Sequence, residues 1–181
     1  RRLPKDNLFQ LIKKKKKLRL NLSPDIFKIR GRYNLMGFRQ KESDFQYSAS
    51  MSFKPKKNLS EAGLSIFSQD DNFINFTVIK EGSQTLLNLY IKPRNEDLLK
   101  IKSIPIKYTK NIILKIVSKN NQYSYLYSIN DGESYDLFSK TDANIVLCKG
   151  YIGTNLGLYA SSNGNKTNEY AEFKWVKNLS N

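Results

Sequence analysis

Short stretches in which every second residue is apolar, each closed by glycine, asparagine or aspartate, leave this chain few folds to choose from. Two show it best: Glu61-Ala62-Gly63-Leu64-Ser65-Ile66-Phe67, and the run from Gly150 through Tyr151, Ile152, Gly153, Thr154, Asn155, Leu156, Gly157 and Leu158 to Ala160. A period of two puts the apolar side chains on one face of a strand. Runs of the same kind recur at 18–22, 26–30, 46–53, 63–68, 72–79, 86–92, 112–118, 122–129, 157–160 and 170–176. The breaks between them are turn chemistry: Gln69-Asp70-Asp71-Asn72, Glu81-Gly82-Ser83, Lys119-Asn120-Asn121, Asn130-Asp131-Gly132 and Asn163-Gly164-Asn165. Asparagine and glycine tolerate the positive φ that tight hairpins demand. No stretch sustains a helical period; the best helical candidate, 137–148, is short and contains Thr141-Asp142-Ala143-Asn144 as a candidate helical turn. The pattern predicts an all-β fold, two antiparallel sheets packed face to face, with more strands than a small immunoglobulin domain and closer to a jelly roll.

With 181 residues, 39% of them hydrophobic, the chain can bury one sizeable core. Residues 1–17 carry proline, charge and little periodicity and are expected to be a linker or an edge segment, with 18–181 forming the sandwich. A formal charge of +15 raises nucleic acid as a partner. Arginine, whose planar fork suits phosphate and guanine, occurs only at Arg1, Arg2, Arg19, Arg30, Arg32, Arg39 and Arg94, without a cluster. No nucleic-acid partner is therefore expected, and the run Lys13 to Lys17 reads as a solvated edge. Cys148 is the one cysteine, so no internal disulfide can form. No apolar run is long enough to make a spanning helix, no membrane partner is expected, and the Arg-Arg-Leu-Pro start has no signal-peptide core, as if the chain were a fragment. The compartment stays open between bacterial periplasm or secretion and cytoplasm.

The chemistry of catalysis is thin. Without histidine there is no imidazole base or ligand, and no zinc ligand set can be assembled around Cys148. Glycoside hydrolysis needs two facing carboxylates. The candidates Asp70 with Asp71, and Glu169 with Glu172, read as turn formers and surface charge. No catalytic residue, cofactor or metal is expected. Tyr123, Tyr125 and Tyr127 share one strand face, where they would either stack on sugar rings or pack inward; packing is the favoured alternative.

Several motifs in order carry a resemblance: Ile29-Arg30-Gly31-Arg32, then 44–55 (DFQYSASMSFKP), Glu61-Ala62-Gly63-Leu64, the turn before Phe73, Ser128-Ile129-Asn130-Asp131-Gly132-Glu133, and the closing Ala171-Glu172-Phe173-Lys174-Trp175. Together these resemble the concanavalin A-like β-sandwich at the C-terminus of glycoside hydrolase family 43, chiefly β-xylosidases and arabinofuranosidases, over almost the whole chain. The resemblance implies an accessory domain without catalytic residues of its own. Its partner would be a catalytic propeller, absent from this chain, acting on xylo- or arabino-oligosaccharides. It further implies that the 150–157 loop, with Tyr151, Ile152, Thr154 and Asn155, lines the substrate mouth or the domain interface. Asn155 stands where relatives carry a second aromatic. Lys174 stands where some relatives place a calcium-ligating acid, which leaves Glu172 as the remaining oxygen donor there. The alternative is an independent carbohydrate-binding, lectin-like module, and self-association through the surface meant for the propeller is left open.

Overall fold

The computed structural model describes residues 8–25, 27, 33–69, 71–107, 110–146 and 153–180. The strand predicted at 26–30 lies outside them apart from Phe27, as do Asp70, Cys148, Tyr151 and Ile152.

Among the described residues the strands are β1 (Phe9–Ile12), β2 (Lys17–Asn21), β3 (Asn34–Arg39), β4 (Phe45–Ser52), β5 (Glu61–Gln69), β6 (Asn72–Glu81), β7 (Gln84–Lys92), β8 (Leu99–Pro105), β9 (Ile112–Lys119), β10 (Gln122–Ser128), β11 (Asp136–Asp142), β12 (Asn155–Ser161) and β13 (Tyr170–Ser180). They form a seven-stranded sheet, order β1-β2-β13-β4-β9-β10-β11, and a six-stranded sheet, order β3-β12-β5-β6-β7-β8. The strand pairs within both sheets are antiparallel.

The alternation read from sequence explains the interior. In β4, Phe45, Tyr47, Ala49 and Met51 point inward while Gln46, Ser48, Ser50 and Ser52 take the other face. Facing them across the sandwich are Leu64 and Ile66 of β5, Ile74, Phe76 and Val78 of β6, and Leu87, Leu89 and Ile91 of β7. One continuous core results, since each sheet can hide its apolar face only against the other. Gly63 in β5 is a close-approach position. A Cβ there would lie 2.3 Å from the Phe76 carbonyl oxygen and 2.7 Å from the Thr77 Cα.

Of the two alternatives for 1–17, linker or edge segment, the described part is an edge: β1 borders the seven-stranded sheet and the lysine run forms the turn into β2. Two other regions differ from expectation. The helical candidate 137–148 is mostly strand: β11 occupies its first half, and only Ala143–Val146 form a 3₁₀ turn, initiated by the Asp142 carboxylate accepting from the Asn144 backbone at 2.8 Å. Sheet pairing with β10 outweighs the weak helical signal. The strands β3 and β8, not expected from sequence, sit at the two edges of the six-stranded sheet, where pairing on one side only demands less of the pattern.

Candidate functional site

The tyrosine row of β10 resolves in favour of packing. Tyr123 and Tyr125 are both 0% exposed and belong to the core. Tyr123 lies 6.0 Å from the ring of Phe45, and Tyr125 meets Phe76 edge-on at 5.6 Å. Burial pushes both phenols up, Tyr123 to about 12. A ring with both faces covered has none to offer a sugar, so stacking at Tyr123 and Tyr125 is withdrawn. Tyr127, further along the same face, is half-buried and packs T-shaped on Phe138 at 6.2 Å.

The loop expected to line a mouth is described only at its root. Gly153 has φ +66, and a Cβ there would come within 2.6 Å of the Arg39 guanidinium. Thr154 is buried, its hydroxyl donating to the Val146 carbonyl at 3.0 Å, and its own carbonyl accepts from the Gln40 backbone at 2.8 Å. Asn155 opens β12, opposite Arg39 and Phe67. Thr154 and Asn155 therefore anchor the loop.

The acidic residues serve as structural staples. Glu169 accepts from the backbone amides of Lys56 (2.6 Å) and Lys57 (3.2 Å) and from the Ser60 hydroxyl (2.7 Å). Burial opposes its charge, but these donors hold its carboxyl below the usual range. Glu172 pairs with Arg19 at 2.8 Å and Lys17 at 3.0 Å, and the hydrogen bond from Arg19 leads in holding its carboxyl low. Both Glu172 oxygens are thus occupied by cations. Among the described residues no group of three or more histidine, cysteine, aspartate or glutamate side chains comes together to hold a metal.

Sequence reasoning passed over the outer face of the six-stranded sheet. There Ser65, Asn75, Thr77 and Asn88, all at alternating positions that read as solvent-facing, are buried. Tyr159, Phe73 and Phe27 form a second aromatic cluster, with Tyr33, Leu35 and Phe67 around it, and Phe27 stacks on Tyr159 at 4.6 Å. Beside this cluster opens a cavity of about 280 Å³ lined by Phe27, Phe73, Tyr90 and Tyr159 and by Glu61, Asn75 and Asn163, with Leu59, Ile79 and Leu98 completing the wall. Glu61, 5% exposed, accepts from the Thr77 hydroxyl at 3.1 Å and from the Asn163 amide at 3.0 Å. Desolvation pushes its carboxyl above the usual range in spite of these donors. The available sequence signal was a glutamate at the start of an otherwise apolar strand.

Residues 1–178 match the family "Beta xylosidase C-terminal Concanavalin A-like domain". The chain belongs to that family. Among relatives of this β-xylosidase C-terminal domain, a xylosidase/arabinosidase of Butyrivibrio fibrisolvens is 26% identical over 161 residues, 87% of this chain and 31% of the relative. The non-reducing end alpha-L-arabinofuranosidase BoGH43B of Bacteroides ovatus is 25% identical over 177 residues, 96% of this chain and 33% of the relative. The chain thus spans about a third of the length of these relatives. Among solved structures, the GH43 protein BlXynB of Bacillus licheniformis superposes with a TM-score of 0.88 at 19% identity, over 98% of this chain and 35% of that one. A functionally unknown protein of Saccharomyces cerevisiae superposes with a TM-score of 0.74 at 11% identity and covers 99% of this chain and 95% of its own. The fold of the family therefore also occurs as nearly the whole of a solved chain.

Proposed function

We propose that this chain is the accessory sandwich of a family 43-type glycoside hydrolase acting on xylo- or arabino-oligosaccharides, and that it works by packing on a catalytic propeller and shaping its substrate mouth. The observation that carries the reading is the family match along residues 1–178 in a chain that spans about a third of relatives named xylosidase and arabinofuranosidase. The engagement of Glu169 and Glu172 by separate sets of donors supports it, because hydrolysis requires two carboxylates free to face one bond. In this reading the 150–157 loop, with Tyr151, Ile152, Thr154 and Asn155, contributes to the propeller contact or the substrate mouth.

The test has two arms. The 181-residue chain is incubated with aryl β-xylosides and aryl α-arabinofuranosides, and no turnover is expected. The Tyr151→Ala substitution is then made in the longer enzyme and in this chain. A changed kcat/KM or a weakened domain contact in the enzyme, with an unchanged Tm in the isolated chain, is the expected result. Turnover by the isolated chain that disappears when one internal carboxylate is replaced would overturn the reading.

A further inference from the structure

We propose that the cavity on the outer face of the six-stranded sheet binds a single neutral sugar ring of pentose size, held between Glu61 and Asn75 and laid against Tyr90. The cavity is independent of the propeller contact proposed above; only the choice of pentose among sugars rests on that reading.

The polar groups in the cavity are incompletely used. A carboxylate offers about four acceptor positions. Glu61 spends two, on the Thr77 hydroxyl and the Asn163 amide, which leaves acceptor capacity for a ligand hydroxyl. Asn75 is 4% exposed, and its carbonyl oxygen accepts from Ser65 at 2.8 Å. Its NH₂ group donates no hydrogen bond to any described residue, while the side chain lines the cavity. That nitrogen is not among the buried atoms that lack a partner, so it opens on the cavity, where a ligand oxygen can replace water as its acceptor. Asn75 is two residues before Thr77 on the same face of β6, about 7 Å along the strand, and Thr77 holds Glu61, so both polar groups border one cavity.

The wall suits the apolar face of such a ring. Tyr90 lies opposite Asn75 in the β6–β7 register. Its hydroxyl donates to Glu81 at 2.9 Å and accepts from Asn88 at 3.0 Å, while the Lys100 ammonium sits 5.5 Å from the ring centre. The ring is half-buried and clamped before any ligand arrives, so little side-chain freedom is lost on binding. Leu59 and Leu98, each 39% exposed, form the rim. Leu59 holds φ +64, a conformation uncommon for a branched apolar residue and one that places it at the cavity edge. The space of about 280 Å³ accommodates a single pentose ring together with some water.

The experiment is a titration of the ¹⁵N-labelled 181-residue chain with D-xylose, L-arabinose, xylotriose and, as a control polyol, glycerol, followed by amide chemical shifts. Saturable shifts centred on residues 59–63, 73–79, 90 and 163, with a Kd in the millimolar range for a pentose, are expected. Equal response to xylose and xylotriose would mark the free monosaccharide as the ligand, and a preference for xylotriose the end of a chain. Asn75→Ala should weaken binding about tenfold or more. Leu98→Trp, made at an exposed rim position so that the fold is retained, should abolish it by filling the mouth. No saturable shift up to about 100 mM sugar, shifts mapping elsewhere, an equal response to glycerol, or binding that survives Leu98→Trp would each overturn the proposal. None of these outcomes touches the accessory-domain reading, which is tested by kinetics in the longer enzyme.

Discussion

The outer faces of the two sheets put their polar side chains to different ends. On the seven-stranded sheet Ser48 and Ser50 of β4 are buried, but the charged groups of β2 and β13 stay in reach of water: Glu172 pairs with Lys17 and Arg19, Arg19 lies 3.8 Å over Tyr170, and Lys177 lies 4.9 Å over Trp175. On the six-stranded sheet Ser65, Asn75, Thr77, Asn88 and Glu61 are withdrawn from water: Ser65 donates to the Ile74 carbonyl or Asn75, Thr77 and Asn163 donate to Glu61, and Asn88 donates to Glu81 and Tyr90. The cost of hiding a polar group is small when its partner is fixed in advance and large when the partner is removed. The first face should therefore tolerate change, and the second should not.

The sharpest break in that contrast is Phe27→Ala. Phe27 contacts Tyr33, Phe67, Phe73 and Tyr159 with ring centres 4.6 to 4.8 Å away, and truncation should cost about 3–5 kcal/mol in urea denaturation. A loss below about 1 kcal/mol would mean the cover over this face contributes little.

Next comes Glu61→Ala, which strands the Thr77 and Asn163 donors and should cost about 2–3 kcal/mol, with Glu61→Gln costing less because the carboxamide still accepts one bond. Glu61 also distinguishes the faces by the sign of its pH dependence. Its folded pKa is raised above 4.5 by desolvation, with Glu81 adding repulsion and Tyr159 donating against it. Its contribution is therefore complete below 4.5 and is lost as pH rises through the folded value. Glu172 has a lowered folded pKa, held there first by Arg19, so its contribution is present above 4.5 and is lost as pH falls. Melting curves between pH 3 and 8 should show Glu61→Gln flattening the neutral-side decline and Glu172→Gln flattening the acid-side one.

Glu172→Gln itself should cost about 1 kcal/mol or less and lose most of that effect in high salt. The smallest change is expected from Trp175→Ala. Its ring is half-exposed, with the Lys177 ammonium 4.9 Å from its centre, so the loss should be about 1 kcal/mol, measured by the same urea titration. A value near that of Phe27 would show that the seven-stranded outer face is also packed against something.

Most strands were legible because their alternation is set by the sandwich itself. Phe45, Tyr47, Ala49 and Met51 could face only one way in β4, and the same holds for Leu87, Leu89 and Ile91 in β7. The edge strands β3 and β8 were not legible. Leu99 and Ile101 of β8 stay exposed, so no buried partner enforces a pattern there. The tyrosines of β10 were placed on one face correctly, yet whether that face met water or the core depended on what lay opposite, and Phe45 and Phe76 lie opposite. The candidate cavity was invisible for the same reason, since Asn75, Thr77 and Asn88 have the period of a solvated face.

The sequence by itself determined the strand alternation, the turns, the two-sheet architecture and the family, because each follows from local chemistry or from motifs in order along the chain. Tertiary structure alone decided which polar face is buried and which tyrosines are covered. It also decided that Glu61, Asn75 and Tyr90 surround one cavity. Residues from β5, β6 and β7 reach that neighbourhood only through sheet register, and burial depends on the cover that Phe27 and its aromatic neighbours provide from elsewhere in the chain.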